Sequence, residues 1–192
     1  VPGHFHVCTL RGAAASARQR GFTLVELIVV MVVIGILGVI AGARYFDRNT
    51  FDADAFTREA GSMLRYAQKV AIAQNRPVYV NLSAGAISLC FASSPACLPA
   101  ERVLAAGGAN SGSAATLANC AGAASWACEG VPAGVAFGVA PAAFYFDALG
   151  KPFATSDPLD GVNSTFTGLV LPVTASGVTA NITIAAETGY VF

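Results

Sequence analysis

Between Leu27 and Ala43 the chain runs for seventeen residues without a charged or strongly polar side chain, and the segment Arg20-Gly-Phe-Thr-Leu-Val-Glu26 leads directly into it. Phe22 to Ala43 spans 22 residues. As a helix that is about 33 Å at 1.5 Å per residue, enough to cross a hydrocarbon core of about 30 Å. An ordinary secretory signal places its apolar stretch before the cleavage site, and the stretch is discarded. Here the junction with the character of a processing site, Gly21/Phe22, comes first, so the apolar segment is expected to be retained. Arg11, Arg18 and Arg20 precede it and are expected to hold the amino terminus in the cytoplasm, leaving the carboxyl terminus outside.

Gly21, Phe22, Thr23, Leu24, Val25 and Glu26, followed by that apolar helix, resemble the class III leader of type IV pilins and type II secretion pseudopilins. The resemblance implies that residues 1–21 are a leader, that a prepilin peptidase cuts between Gly21 and Phe22 and N-methylates Phe22, and that Glu26 becomes the fifth mature residue. Three later segments, Leu64–Val78, Phe146–Pro152 and Glu187–Val191, are similar to the minor pseudopilin H branch and to the related minor pilin of mannose-sensitive haemagglutinin pili. Residues 92–142 are the least covered. The implied fold is α+β, the pilin fold, in which a long amino-terminal helix, transmembrane and then amphipathic, packs on a mostly antiparallel β-sheet. The implied partners are other pilins or pseudopilins, the prepilin peptidase and an assembly-platform membrane protein.

Charge is unevenly distributed. The leader holds three of the eleven basic residues and none of the eleven acidic ones, so residues 22–192 carry eight against eleven, a net charge near −3. Beyond Pro77 the basic residues are Arg102 and Lys151 alone, a poor footing for nucleic acid, which needs clustered Lys and Arg to displace counterions. Both histidines, His4 and His6, fall in the leader, which removes imidazole chemistry from the mature chain. Cys8 leaves with the leader as well, and Cys90, Cys97, Cys120 and Cys128 remain. Four cysteines allow three connectivities; local spacing favours Cys90 with Cys97 and Cys120 with Cys128, as staples in an oxidising periplasm. A four-thiolate metal site is disfavoured because short Cys-x-x-Cys knuckles are absent.

The expected organisation is a leader over 1–21, a transmembrane and assembly helix over 22–43 and one periplasmic domain over 44–192. Gly38 and Gly42 have the spacing that lets membrane helices approach closely. Arg44, Tyr45, Phe46 and Arg48 form an aromatic and basic belt suited to a membrane surface. Asn49-Thr50-Phe51-Asp52 supplies capping residues, so a kink or restart is expected there, followed by a helix over about 52–74. Phe56, Ala60, Met63, Leu64, Ala67, Val70, Ala71 and Gln74 recur at intervals of three and four and define its packing face.

After Asn75-Arg76-Pro77 the pattern alternates. Val78–Leu82 and Ile87–Phe91 read as a hairpin through Ser83–Ala86. Residues 92–125 read as a long loop pinned by cysteines. Strand signals resume at Val135–Phe137, Phe144–Phe146, Gly168–Leu171, Val178–Ala185 and Tyr190–Phe192.

Glu26 is the one ionisable residue in the apolar segment, and a carboxylate at that depth costs about 2.5–3.5 kcal/mol unless it finds a partner. The freed amino group of Phe22, its own or a neighbouring subunit's, is the available cation, and the resemblance points to the neighbour. Asp157, Asp160 and Asn163 are loosely spaced like a calcium loop but read better as a turn, since Asp-Pro and Asp-Gly are ordinary turn signals. No catalytic constellation, cofactor motif or phosphate loop is present. The expectation is a non-enzymatic minor pilin or pseudopilin of the bacterial inner membrane, assembled into a type II secretion pseudopilus or a type IV pilus. The alternatives are a pilin acting as a DNA- or surface-binding tip module through residues 92–130, and a plain single-pass anchored periplasmic protein.

Overall fold

A computed structural model describes residues 22–192 apart from Pro95, residues 139–142 and Asp160, and leaves out the side chains of residues 40–47. The expected leader, with Gly21, therefore lies outside the described residues. The chain divides into two compact units at Ala41/Gly42.

One helix, α1, is assigned from Leu24 to Gln74. The helix restart weighed at Asn49–Asp52 is not seen: helix continues through those residues, so their capping side chains sit inside an element rather than at its start. Its second half is amphipathic as the spacing predicts. Ala53, Phe56, Ala60, Met63, Leu64, Ala67, Val70 and Ala71 are buried, whereas Gln74, expected on that face, is exposed. Alanine at 60, 67 and 71, all with no exposed surface, keeps the buried face low enough for strands to approach. The helix stops in a Schellman geometry: Arg76 N–H bonds Ala71 C=O at 3.2 Å, Asn75 N–H bonds Ile72 C=O at 3.3 Å, and Asn75 takes φ 49°. Asparagine tolerates that left-handed conformation, and Pro77 prevents the helix from resuming.

Two antiparallel sheets follow. The first has the order β3-β2-β1-β5-β6, from β1 (Val78–Ser83), β2 (Ala86–Cys90), β3 (Cys128–Gly130), β5 (Ala143–Phe146) and β6 (Pro152–Ala154). The second has the order β4-β7-β8, from β4 (Ala136–Phe137), β7 (Leu169–Ala175) and β8 (Val178–Ile184). Val191 adds a bridge to Ile184. Strand alternation sends Val78, Val80, Leu82, Ile87, Leu89, Phe144 and Phe146 toward α1, in one core with Leu171, Val173, Ile182 and Ile184 of the second sheet. The opposite face of the first sheet carries a smaller cluster of Tyr79, Tyr145 and Phe153, paired across strands.

Residues 92–125, expected as one loop, contain structure: a 3-10 turn at Pro99–Glu101, the helix α2 (Ala114–Asn119), and bridges Cys90–Arg102 and Leu104–Trp126. Ser113 caps α2 by accepting from Thr116 N–H at 3.1 Å.

Candidate functional site

At the start of α1, Thr23 is the N-cap: Glu26 N–H donates to Thr23 Oγ1 at 3.2 Å, and Leu27 N–H reaches Thr23 C=O at 3.2 Å. Thr-Leu-Val-Glu is thus a capping sequence as well as part of the processing pattern, with an acidic residue in the first helical turn where the peptide dipole favours it. The side chains beyond it have nothing in their own unit to pack against. From Leu27 to Leu37 every large apolar residue is 46–67 % exposed, on all sides of the helix, and Phe22 is 77 % exposed. Among the described residues no helix is long and apolar enough to cross a membrane. The expected span over 22–43 includes residues 40–43, whose side chains are not described.

Within the second unit, three segments far apart in sequence meet on α1. Gln68 Nε2 donates to Gly150 C=O and to Thr188 C=O, both at 2.8 Å. Arg65 Nη1 reaches Val191 C=O at 3.3 Å, and Lys151 pairs with Glu187 at 3.0 Å. Gly189, at φ +66°, is packed so closely that a Cβ would stand 2.8 Å from Gln68 Nε2, Gly150 O and Phe146 Cε1. The segments 64–78, 146–152 and 187–191, set apart in the sequence by resemblance, are therefore one clasp that fixes the carboxyl terminus and the β5–β6 turn to the helix.

A second polar centre lies between α1 and residues 105–133. Glu129 is inward-facing on β3, opposite Ile87, and 4 % exposed. Its carboxylate accepts from Ser111 N–H at 2.7 Å, Ser111 Oγ at 2.5 Å and Thr116 Oγ1 at 2.8 Å. Thr116 Oγ1 also accepts from Ser113 Oγ at 2.9 Å and Gly130 N–H at 3.0 Å. Glu59 on α1 meets this carboxylate, and partial burial, the charge of Glu129 and a hydrogen bond with it push the Glu59 carboxyl up to about 7. The pair borders two clefts of about 270 Å³ and 600 Å³, the larger also lined by Arg48 and Asp52. Sequence reading missed this pair, since it joins residues seventy positions apart; the signal within reach was Ser113-x-x-Thr116 as a helix start.

The cysteines join Cys90 to Cys97 and Cys120 to Cys128. All four are buried around Trp126, whose indole N–H donates to Leu89 C=O at 2.8 Å. Arg102 lies over the Trp126 ring at 4.5 Å. Asp157 accepts from Ala154 N–H at 3.0 Å, Thr165 N–H at 2.9 Å and Thr165 Oγ1 at 2.6 Å, so its oxygens tie a turn together. The bonds from Thr165 hold its carboxyl below the usual range. Asp160, weighed with it as a calcium ligand, lies outside the described residues.

The profile of the prokaryotic N-terminal methylation motif matches residues 16–42. Residues 16–42 carry that motif. Among solved structures, the chain is similar to the type IV minor pilin FimU of Pseudomonas aeruginosa, at 14 % identity and a TM-score of 0.48, over 77 % of this chain and 90 % of that one. No curated protein matches it. Its architecture is the expected α+β one, an amino-terminal helix followed by antiparallel sheets.

Proposed function

We propose that this chain is a structural subunit, a minor pilin or pseudopilin, cut between Gly21 and Phe22 by a prepilin peptidase, N-methylated at Phe22 and held in the bacterial inner membrane by residues 22–43 until assembly. Residues 44–192 are then the periplasmic domain, and the partners are other pilins or pseudopilins and an assembly-platform protein. The observation that carries this reading is the amino-terminal half of α1, apolar on every side and exposed on every side. Such a helix needs lipid or other helices to cover it. Glu26, alone among apolar side chains, needs a cation, and a neighbour's amino terminus supplies one while penalising wrong registers, because an uncompensated buried charge is costly.

A DNA-binding tip finds little support beyond Pro77, where Arg102 stacks on Trp126 and Lys151 pairs with Glu187. Mass spectrometry of the mature amino terminus tests the assignment: an N-methylated Phe22 is expected, and an uncut leader overturns it. Deleting the gene and scoring piliation beside protein secretion separates a pilus from a type II secretion pseudopilus.

A further inference from the structure

Asn81 points away from the core, between inward-facing Val80 and Leu82 on β1, yet it is only 8 % exposed. Neither its Nδ2 nor its Oδ1 has a hydrogen-bond partner among the described residues. Buried amides are nearly always satisfied, because an unpaired donor or acceptor forfeits its bonds to water. The gap has a structural cause. Two residues back along the strand, the Tyr79 ring packs tilted against Tyr145 and the outer face is filled, with ring centroids 5.2 Å apart. In the Asn81 row the cross-strand neighbours are Ser88 on β2 and Ala143 on β5, and neither bonds the amide.

That row continues to Cys128, opposite Ser88 on β3, and on the other side to Thr155 beyond β6. It forms the floor of a cleft of about 350 Å³ with Ser83, Ser93 and Asn119 at its rim and no charged side chain in its lining. Five strand positions at about 4.8 Å make a trough of about 19 Å, the length of five or six extended residues. Its walls are preorganised: Cys128 and the neighbour of Asn119 form one disulfide, and Ser93 lies inside the loop closed by the other.

We propose that this trough binds an uncharged, extended polypeptide segment, with the Asn81 carboxamide pairing to the N–H and C=O of one residue or to a side-chain amide. A carboxamide presents donors and an acceptor in one plane, which matches the planar peptide unit. The lack of charge in the lining disfavours ionic ligands, which would be desolvated without compensation. The inference is independent of the assembly role.

The test is a titration of the ¹⁵N-labelled full chain in detergent micelles with the blocked pentapeptide acetyl-Ser-Ala-Asn-Ala-Ser-amide, in parallel with maltotriose as an uncharged polyol. The Asn81 side-chain amide signal is assigned by its loss in Asn81→Leu. Saturable shifts of that signal and of the Ser88 backbone amide with the peptide support the proposal, provided the affinity falls at least tenfold in Thr155→Trp, followed at both signals, and in Asn81→Leu, followed at the Ser88 amide. The second variant acts from the exposed rim and does not touch the core. Shifts with maltotriose alone overturn the peptide assignment, and no shift with either probe overturns the site.

Discussion

The Glu59–Glu129 contact makes stability fall as pH rises, and the size of the effect follows from the structure. The Glu59 carboxyl is raised from 4.5 to about 7 in the folded chain. Below pH 4.5 it is protonated folded and unfolded alike, and its contribution is fully present. Between 4.5 and about 7 the unfolded chain releases the proton while the folded chain holds it, so the contribution is lost across that window. A gap of that size is worth at most about 3.4 kcal/mol. Glu59 is only partly buried and stays open to solvent on one side, and screening reduces the effect to about 1 kcal/mol, or about 2–4 °C in Tm for a domain of this size. Glu59→Gln can donate to Glu129 at every pH and should flatten the slope, leaving the variant more stable than wild type at pH 8 but not at pH 4.5. Thermal melts by circular dichroism at half-unit steps from pH 4 to 8 measure this. An unchanged slope in the variant would refute the shared-proton account. Asp157 cannot imitate the effect: its carboxyl is lowered, so its contribution is present above its ordinary value of 3.8 and lost only as pH falls below this window.

Gly189→Ala should destabilise the domain by about 2–4 kcal/mol, summing left-handed backbone cost and overpacking, whereas Gly177→Ala, at φ +81° with nothing within 4 Å, should lose only about 1 kcal/mol. Urea midpoints of the two variants compare them directly, and equal losses would dissolve the clasp argument. Replacing both Cys120 and Cys128 with serine opens a staple with a sequence separation of 8 and should cost about 2.5 kcal/mol, read as a lower denaturation midpoint. Glu26→Ala should leave leader cleavage intact while lowering the amount of chain recovered in sheared pili or pseudopili; normal incorporation would remove the register role.

The packing face of α1 was legible because its period of three to four residues spans five turns, and the hairpin through Ser83–Ala86 was legible because alternation and a glycine turn coincide. β3 and β6 were not. Cys-Glu-Gly and Pro-Phe-Ala are three-residue strands with too few positions to display alternation, and they exist because β2 and β5 offer edges to pair with. The helix restart weighed at Asn49–Asp52 rested on capping types alone, and such residues cap only where the backbone actually turns. Asn81 read as an ordinary polar position on an alternating strand. It lines a cleft with Asn119, Ser93 and Thr155, residues from separate segments that no local pattern brings together.

The amino-terminal motif serves two physical ends at once, and they can be separated. Thr23 Oγ1 satisfies the Glu26 N–H, and the Glu26 carboxylate sits where the helix dipole favours a negative charge, worth about 0.3–1 kcal/mol. Losing Glu26 therefore weakens the helix start slightly, while the proposed pairing with a neighbour's Phe22 is set against a burial cost of about 2.5–3.5 kcal/mol. Thr23→Ala removes the cap, about 1 kcal/mol, and leaves the charge in place. If charge neutralisation governs assembly, Thr23→Ala should be incorporated nearly as well as wild type and Glu26→Ala poorly, with Glu26→Gln failing like the alanine variant because it keeps shape without charge. Equal losses in Thr23→Ala and Glu26→Ala would show instead that the motif acts by starting the helix.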